Sequence, residues 1–184
     1  MFSRLFRSRN HPLRVAGDAL YATIVAAARQ PALYARLGVP DTPTGRFEMM
    51  ALHMILVLRS LALAGDAAAP LAQELTDTFF LEMDSSMRDL GIGDTRVPQR
   101  MKALAGVYFG RAKAYGDAIG QGDAVELAAA IARNVWPGMA AGDASGLAAY
   151  ALEADRIVAA SPKDDLGAGR LSWPALLDEE DTPA

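Results

Sequence analysis

Residues 45–63 read GRFEMMALHMILVLRSLAL, and this stretch decides the fold. Wound as a helix it is apolar on almost every side, which places it at the centre of a helical bundle rather than on its surface. Thr44 stands before it as a capping residue. Two narrow polar stripes interrupt the apolar surface. Arg46, His53 and Ser60, at i, i+7 and i+14, form one; Glu48 and Arg59 form the other. Buried polar groups need hydrogen-bond partners, so both stripes must find them on neighbouring helices. The longest apolar run, Met49 to Leu58, already contains His53 and is far short of the ~20 residues of a membrane span.

Working outward, Pro12 opens a helix over Leu13–Arg29, with Leu13, Ala16, Leu20, Ile24, Ala27 and Ala28 on one face. Pro31 restarts a short helix, Ala32–Leu37, which Gly38 ends. Beyond Gly65 and Asp66 a fourth helix runs from Pro70 to Leu90. Leu71, Leu75, Phe79, Met83, Met87 and Leu90 are expected as its buried seam, with Glu74, Asp77, Asp84 and Arg88 on another face. Gly91-Ile92-Gly93-Asp94 forms a tight loop, and Pro98 begins a fifth helix that reaches Ile119. It carries two basic stripes, Arg100 with Arg111 and Lys102 with Lys113. Its Gly106 and Gly110 have the spacing that lets another backbone approach. The acids of helix four and the bases of helix five are expected to pair across the helices or to form a solvated face. Asp123 caps a sixth helix, Ala124–Trp136, stopped by Pro137-Gly138; a seventh spans Ala144–Ala159.

No strand alternation or repeat is visible. The expectation is all-α: a single-domain bundle of six or seven helices over residues 13–160. A basic segment, 1–12, precedes it, and an acidic tail, 161–184, follows with Leu171–Trp173 as its one anchor. In the basic segment Phe2, Leu5 and Phe6 share a helical face among Arg4, Arg7 and Arg9, which suits either an anionic membrane surface or a solvated terminus.

Composition removes several classes of chemistry. There is no Cys, so disulfides, thiolate metal sites and cysteine nucleophiles are excluded. With two His, a multi-histidine metal site has no material. A net charge of −4 argues against a general nucleic-acid binder and specific DNA recognition. His53 alone invites a haem- or metal-handling reading, against a hydrogen-bonded core histidine. Glu74, Asp77, Asp84 and Asp89 lack the Glu-x-x-His pairs of a di-iron bundle, since Met50 precedes His53 by three and Ser8 precedes His11 by three. Gly91-x-Gly93 lacks the full dinucleotide spacing. No nucleophile sits beside a base, so an enzyme is not expected. Met49, Met50, Met54, Met83 and Met87 read as core filler or as an adaptable apolar surface.

A longer series of short motifs is more specific. Leu20-Tyr21, Ala28-Arg29-Gln30-Pro31 and Leu33-Tyr34 lead to Gly38-Val39-Pro40-Asp41-Thr42, Gly45-Arg46-Phe47-Glu48 and Leu52-His53. Phe79-Phe80, Met83-Asp84, Arg88-Asp89, Leu90-Gly91-Ile92-Gly93-Asp94 and Val97-Pro98 come next. Met101-Lys102, Tyr108-Phe109-Gly110-Arg111 and Tyr115 complete the series. In order and spacing this resembles the ubiquinol–cytochrome c chaperone family in its short bacterial form, over residues 13–120. The resemblance implies an all-helical, non-catalytic assembly factor for respiratory complex III, without a cofactor. Its client would be newly made cytochrome b, with the ribosome or a small helper protein as further partners. It further implies a cytoplasmic protein at the inner face of the cytoplasmic membrane.

Physically, a mobile Met-lined groove would cover apolar client helices reversibly, and the bases of helix five would meet ribosomal RNA, anionic lipid or client loops. Arg46, Phe47, His53, Asp84, Arg100, Lys102, Tyr108, Arg111 and Lys113 are the candidate client- or partner-binding residues. The competing role for them is to satisfy one another inside the bundle.

Overall fold

In the computed structural model, which describes residues 12–138, 140 and 142–176, the chain forms eight helices. They are α1 Pro12–Ala28, α2 Pro31–Ala35, α3 Pro43–Leu63, α4 Ala69–Asp89, α5 Val97–Gln121, α6 Ala124–Val135, α7 Ala144–Ala159 and α8 Lys163–Gly167. A 3-10 turn, Asp66–Ala68, joins α3 to α4, and there is no strand among the described residues. The all-α expectation holds, and every one of the seven anticipated helices is present. The eighth is one short turn inside what the sequence suggested was tail. The membrane-directed reading of Phe2, Leu5 and Phe6 falls outside the described residues, as do the acids 178–181.

Helix α3 is the axis of the bundle and touches α1, α4, α5, α6 and α7. Thirteen of its 21 residues are buried. Each buried Met, Leu, Ile or Val contributes ~1.5–3 kcal/mol relative to exposure, so this helix dominates the core. Its start corrects one expectation. The cap is Thr42, whose hydroxyl accepts from the Gly45 N–H at 3.1 Å, with Pro43 and Thr44 already inside the first turn. Pro43 needs no N–H partner there, which makes it suited to the first helical position. Gly45 is required by crowding, since a Cβ on it would lie 1.9 Å from the Pro40 carbonyl oxygen.

Helices α1 and α4 pack side by side in the same direction, Gly17 against Glu74 and Asp18 against Thr78. Helices α6 and α7 close the other side, with α7 against α3. The chain after α8 returns across α1. Gly169, at φ +73°, presses so closely that a Cβ would sit 2.3 Å from the Ala19 Cβ. Leu171, Trp173 and Leu176 then pack on the core, so the Leu171–Trp173 anchor is real.

The expected seam of α4 is only half right. Leu71, Leu75 and Phe79 are buried, Met83 and Met87 are half-buried, and Leu90 is 70% exposed. The α4 seam leaves the core because nothing but the start of α5 accompanies its last turns. Between Phe80 and Val107 only Val97 is buried. This stretch is a two-helix arm projecting from the bundle.

Candidate functional site

The polar stripes of α3 do find partners on other helices. His53 is fully buried. Its Nδ1 lies 2.8 Å from the Met49 carbonyl oxygen, which can only accept, so Nδ1 carries the proton. Its Nε2 accepts from the Tyr150 hydroxyl at 2.8 Å, and the Trp173 ring meets the imidazole edge-on at 4.9 Å between centroids. Tyr150 also meets the Gln30 side chain. Burial disfavours the charged imidazole and lowers its pKa to about 4, against a smaller opposing effect of the Met49 carbonyl. With both ring nitrogens engaged, this histidine locks α3 to α7, and metal or haem ligation through it would break that node. Ser60 donates to the Val158 carbonyl, and Arg59 pairs with Asp155, so three rungs join the same two helices. Only Arg46 faces solvent, where it pairs with Asp41.

Glu48 leads to the base of the arm. Its carboxylate is buried and takes two hydrogen bonds from Arg111 of α5, at 2.5 and 2.6 Å. Burial raises the Glu48 pKa, outweighing the adjacent guanidinium. Arg111 also lies 5.9 Å from the Phe47 ring centroid and donates to the Val107 carbonyl. Above this pair stand Phe47, Phe79, Phe80, Tyr108 and Phe109, in successive ring contacts of 5.1 to 6.5 Å. The cluster begins fully buried at Phe79 and ends 59% exposed at Phe109. Edge-to-face packing of this kind contributes ~0.5–1.5 kcal/mol per pair beyond burial. The cluster and the ion pair fasten the arm to the core.

Outward from that base, apolar side chains face water. Leu81 and Leu90 on α4 and Val107 and Phe109 on α5 are four of the seven large apolar residues exposed among the described residues. At 100° per residue, Phe79, Met83, Met87 and Leu90 fall on one strip of α4 that runs from full burial into solvent. At the tip of the arm Arg88 joins the last turns of α4 to the loop, pairing with Asp84 at 2.7 Å and with Asp94.

The expected site residues therefore divide. Phe47, Asp84, Arg100, Lys102 and Lys113 lie on or beside the arm with exposed or half-buried side chains, and Arg111 anchors its base. His53 and Tyr108 are interior, and the competing role, satisfaction inside the bundle, describes their geometry. The Met-lined groove is corrected too. Met49, Met50 and Met54 fill the core, while Met83 and Met87 on α4 and Met101 on α5 lie half-buried on the arm. Among the described residues no ion pair joins α4 to α5. Arg88 and Lys113 pair locally, while Arg111 reaches α3. The sequence reading missed the partners Tyr150, Asp155 and Arg111–Glu48. The signal was present in Glu48 and Arg59, two charges on an otherwise buried helix that had to be answered from elsewhere.

Three comparisons bear on this arrangement. Residues 35–173 match the family described as ubiquinol-cytochrome C chaperone. The chain is similar to the crystal structure of the Cbp3 homolog from Brucella abortus, with a TM-score of 0.82 and 41% identity over 100% of each chain. No curated protein matches it.

Proposed function

From its membership of the ubiquinol–cytochrome c chaperone family, to which this chain belongs, we propose that it shields newly made cytochrome b during assembly of respiratory complex III. The observation that carries this reading is the α4–α5 arm. A polypeptide whose core is otherwise well filled leaves Leu90 70% exposed and Met83 and Met87 only half-buried on one projecting element. Such surface on a soluble-type fold marks an interaction site. Met and aromatic side chains adapt to varied apolar partners, which suits a client recognised before its own helices have packed.

The arm works by covering, not by chemistry. Apolar faces of the client that would otherwise aggregate lie against the α4 strip until haem and neighbouring subunits displace the chaperone. Phe47 stacks on Phe79 at the buried end of this strip, and Asp84 with Arg88 forms the polar side of α4 beside it. The protein acts on the cytoplasmic side, close to the membrane that receives its client. No helix among the described residues is long and apolar enough to cross a membrane.

Deleting the protein tests the proposal. The expected result is loss of assembled complex III and of its b-type haem absorbance, with transcripts unchanged. Normal complex III in the deletion strain would refute it. Purification of the tagged chain from detergent extracts would recover cytochrome b, together with any helper protein or ribosome bound to the same complex.

A further inference from the structure

We propose that the outer face of α5, from Arg96 to Lys113, docks on an anionic lipid bilayer. On this helix Val97, Tyr108 and Tyr115 mark the inward face. The opposite strip, Gln99, Ala103, Gly106 and Gly110, is exposed. Arg96, Arg100 and Val107 flank the strip on one side; Lys102, Phe109 and Lys113 flank it on the other. From Val97 to Gly116 the helix carries four cations and no acid.

Three observations give the face a partner. First, its charge is unanswered. Glu48 holds Arg111 and Asp117 holds Lys113, whereas Arg96, Arg100 and Lys102 have no ion-pair partner among the described residues. Of the acids on the arm, Asp84 and Asp94 are taken by Arg88, and Glu82 and Asp89 form no ion pair with this face among the described residues. Second, Gly106, Gly110 and Gly116 have nothing within 4 Å of an added Cβ. A helical glycine costs ~1 kcal/mol relative to alanine, and no packing among the described residues offsets it here. Third, Val107 and Phe109 are 42% and 59% exposed beside the cations. Small residues let the helix settle close to a surface, apolar flanks enter the headgroup layer, and long cations snorkel to phosphates.

Charge selects the occupant. A second copy of this face would set cation against cation. The choice of lipid over client loops rests on the proposed client being a membrane protein. The cytoplasmic loops of such proteins carry excess Lys and Arg, and this face would repel them. The cytoplasmic leaflet is anionic and attracts it. With a net charge of −4, the rest of the chain is turned away from that leaflet, so the face also orients the molecule. The α4 strip is then held beside the bilayer in which the client is embedded.

Vesicle flotation tests this with the full chain, a chain lacking residues 1–10, and the triple variant Arg96→Gln/Arg100→Gln/Lys102→Gln. Phosphatidylcholine vesicles are compared with vesicles also containing phosphatidylglycerol, and circular dichroism checks folding. The expected result is binding to the anionic vesicles only, weakened about 100-fold in the triple variant and retained without residues 1–10. Phe109→Ser is a second probe, expected to weaken binding about tenfold without altering salt dependence. Equal binding to both vesicle types, unchanged binding of the triple variant, or complete loss on removing residues 1–10 would each overturn the proposal. So would retention on ribosomal RNA with no vesicle binding. Cytochrome b recovery from detergent reports separately on the client. The triple variant keeps it here, and its loss with vesicle binding intact would assign these cations to the client instead.

Discussion

Met49, Met50 and Met54 on α3 are at most 5% exposed, whereas Met83 and Met87 on α4 are half-buried and Leu90 beyond them is 70% exposed. The two helices have equal length, yet α3, apolar on almost every side, is wrapped all round, while the single apolar seam of α4 runs out of neighbours. In α3 even the polar groups are answered by Tyr150, Asp155, Val158 and Arg111. On the arm, Leu90 and Phe109 are exposed, and Arg96, Arg100 and Lys102 have no ion-pair partner among the described residues. The contrast separates side chains that make the fold from those left for a partner.

The largest effect is expected where the two regions meet. Glu48→Ala leaves Arg111 facing the Phe47 ring without its carboxylate, and breaking such a buried pair costs ~3–5 kcal/mol. Urea unfolding will show it. The double change Glu48→Leu/Arg111→Met is expected to recover most of that loss, because burial opposes the Glu48 charge in the first place. If Glu48→Ala melts like the parent, the arm is not fastened at this point.

Within the core, His53 makes stability depend on pH. Its folded pKa of about 4 lies below the ordinary imidazole value of 6.5, so the unfolded chain binds more protons between those limits. Its contribution is complete above pH ~6.5 and is lost as the pH falls toward 4, by roughly 3 kcal/mol in all. Stability measured across this window in the parent and in His53→Gln isolates the effect. The variant is expected to lack that step.

One substitution made in both regions sharpens the comparison further. Gly45→Ala drives a Cβ to 1.9 Å from the Pro40 oxygen and should cost ~1–3 kcal/mol. Gly106→Ala meets open space on α5 and should stabilise by ~0.5–1 kcal/mol. Thermal melts that shift in the same direction would contradict this division.

Much of the division was legible in the sequence. The unbroken apolar surface of residues 45–63 identified the central helix, and proline and glycine positions marked the helix starts and stops. The cap at Thr42 was misplaced by two residues because Thr44 is equally capable of capping, and the feature that favours Thr42 is Pro43 at the first helical position. Burial along α4 was overestimated for a different reason. Periodicity shows which residues share a face, but not how far the neighbouring helix extends, so Met87 and Leu90 looked like Leu75. Long-range partners were hidden as well. His53 and Tyr150 are 97 residues apart, and nothing local links them.

The smallest effect on stability, and the most direct test of the account, comes from Met87→Ser/Leu90→Ser on the outer α4 strip. With Leu90 70% exposed and Met87 half-buried, the two changes together should alter stability by no more than ~1 kcal/mol. Tagged parent and variant chains are purified from mild-detergent extracts of cells lacking the native copy, and cytochrome b in each eluate is quantified. The account predicts a folded variant that recovers at least about tenfold less cytochrome b, as expected for losing two apolar contacts. A folded variant that recovers as much cytochrome b as the parent would contradict it.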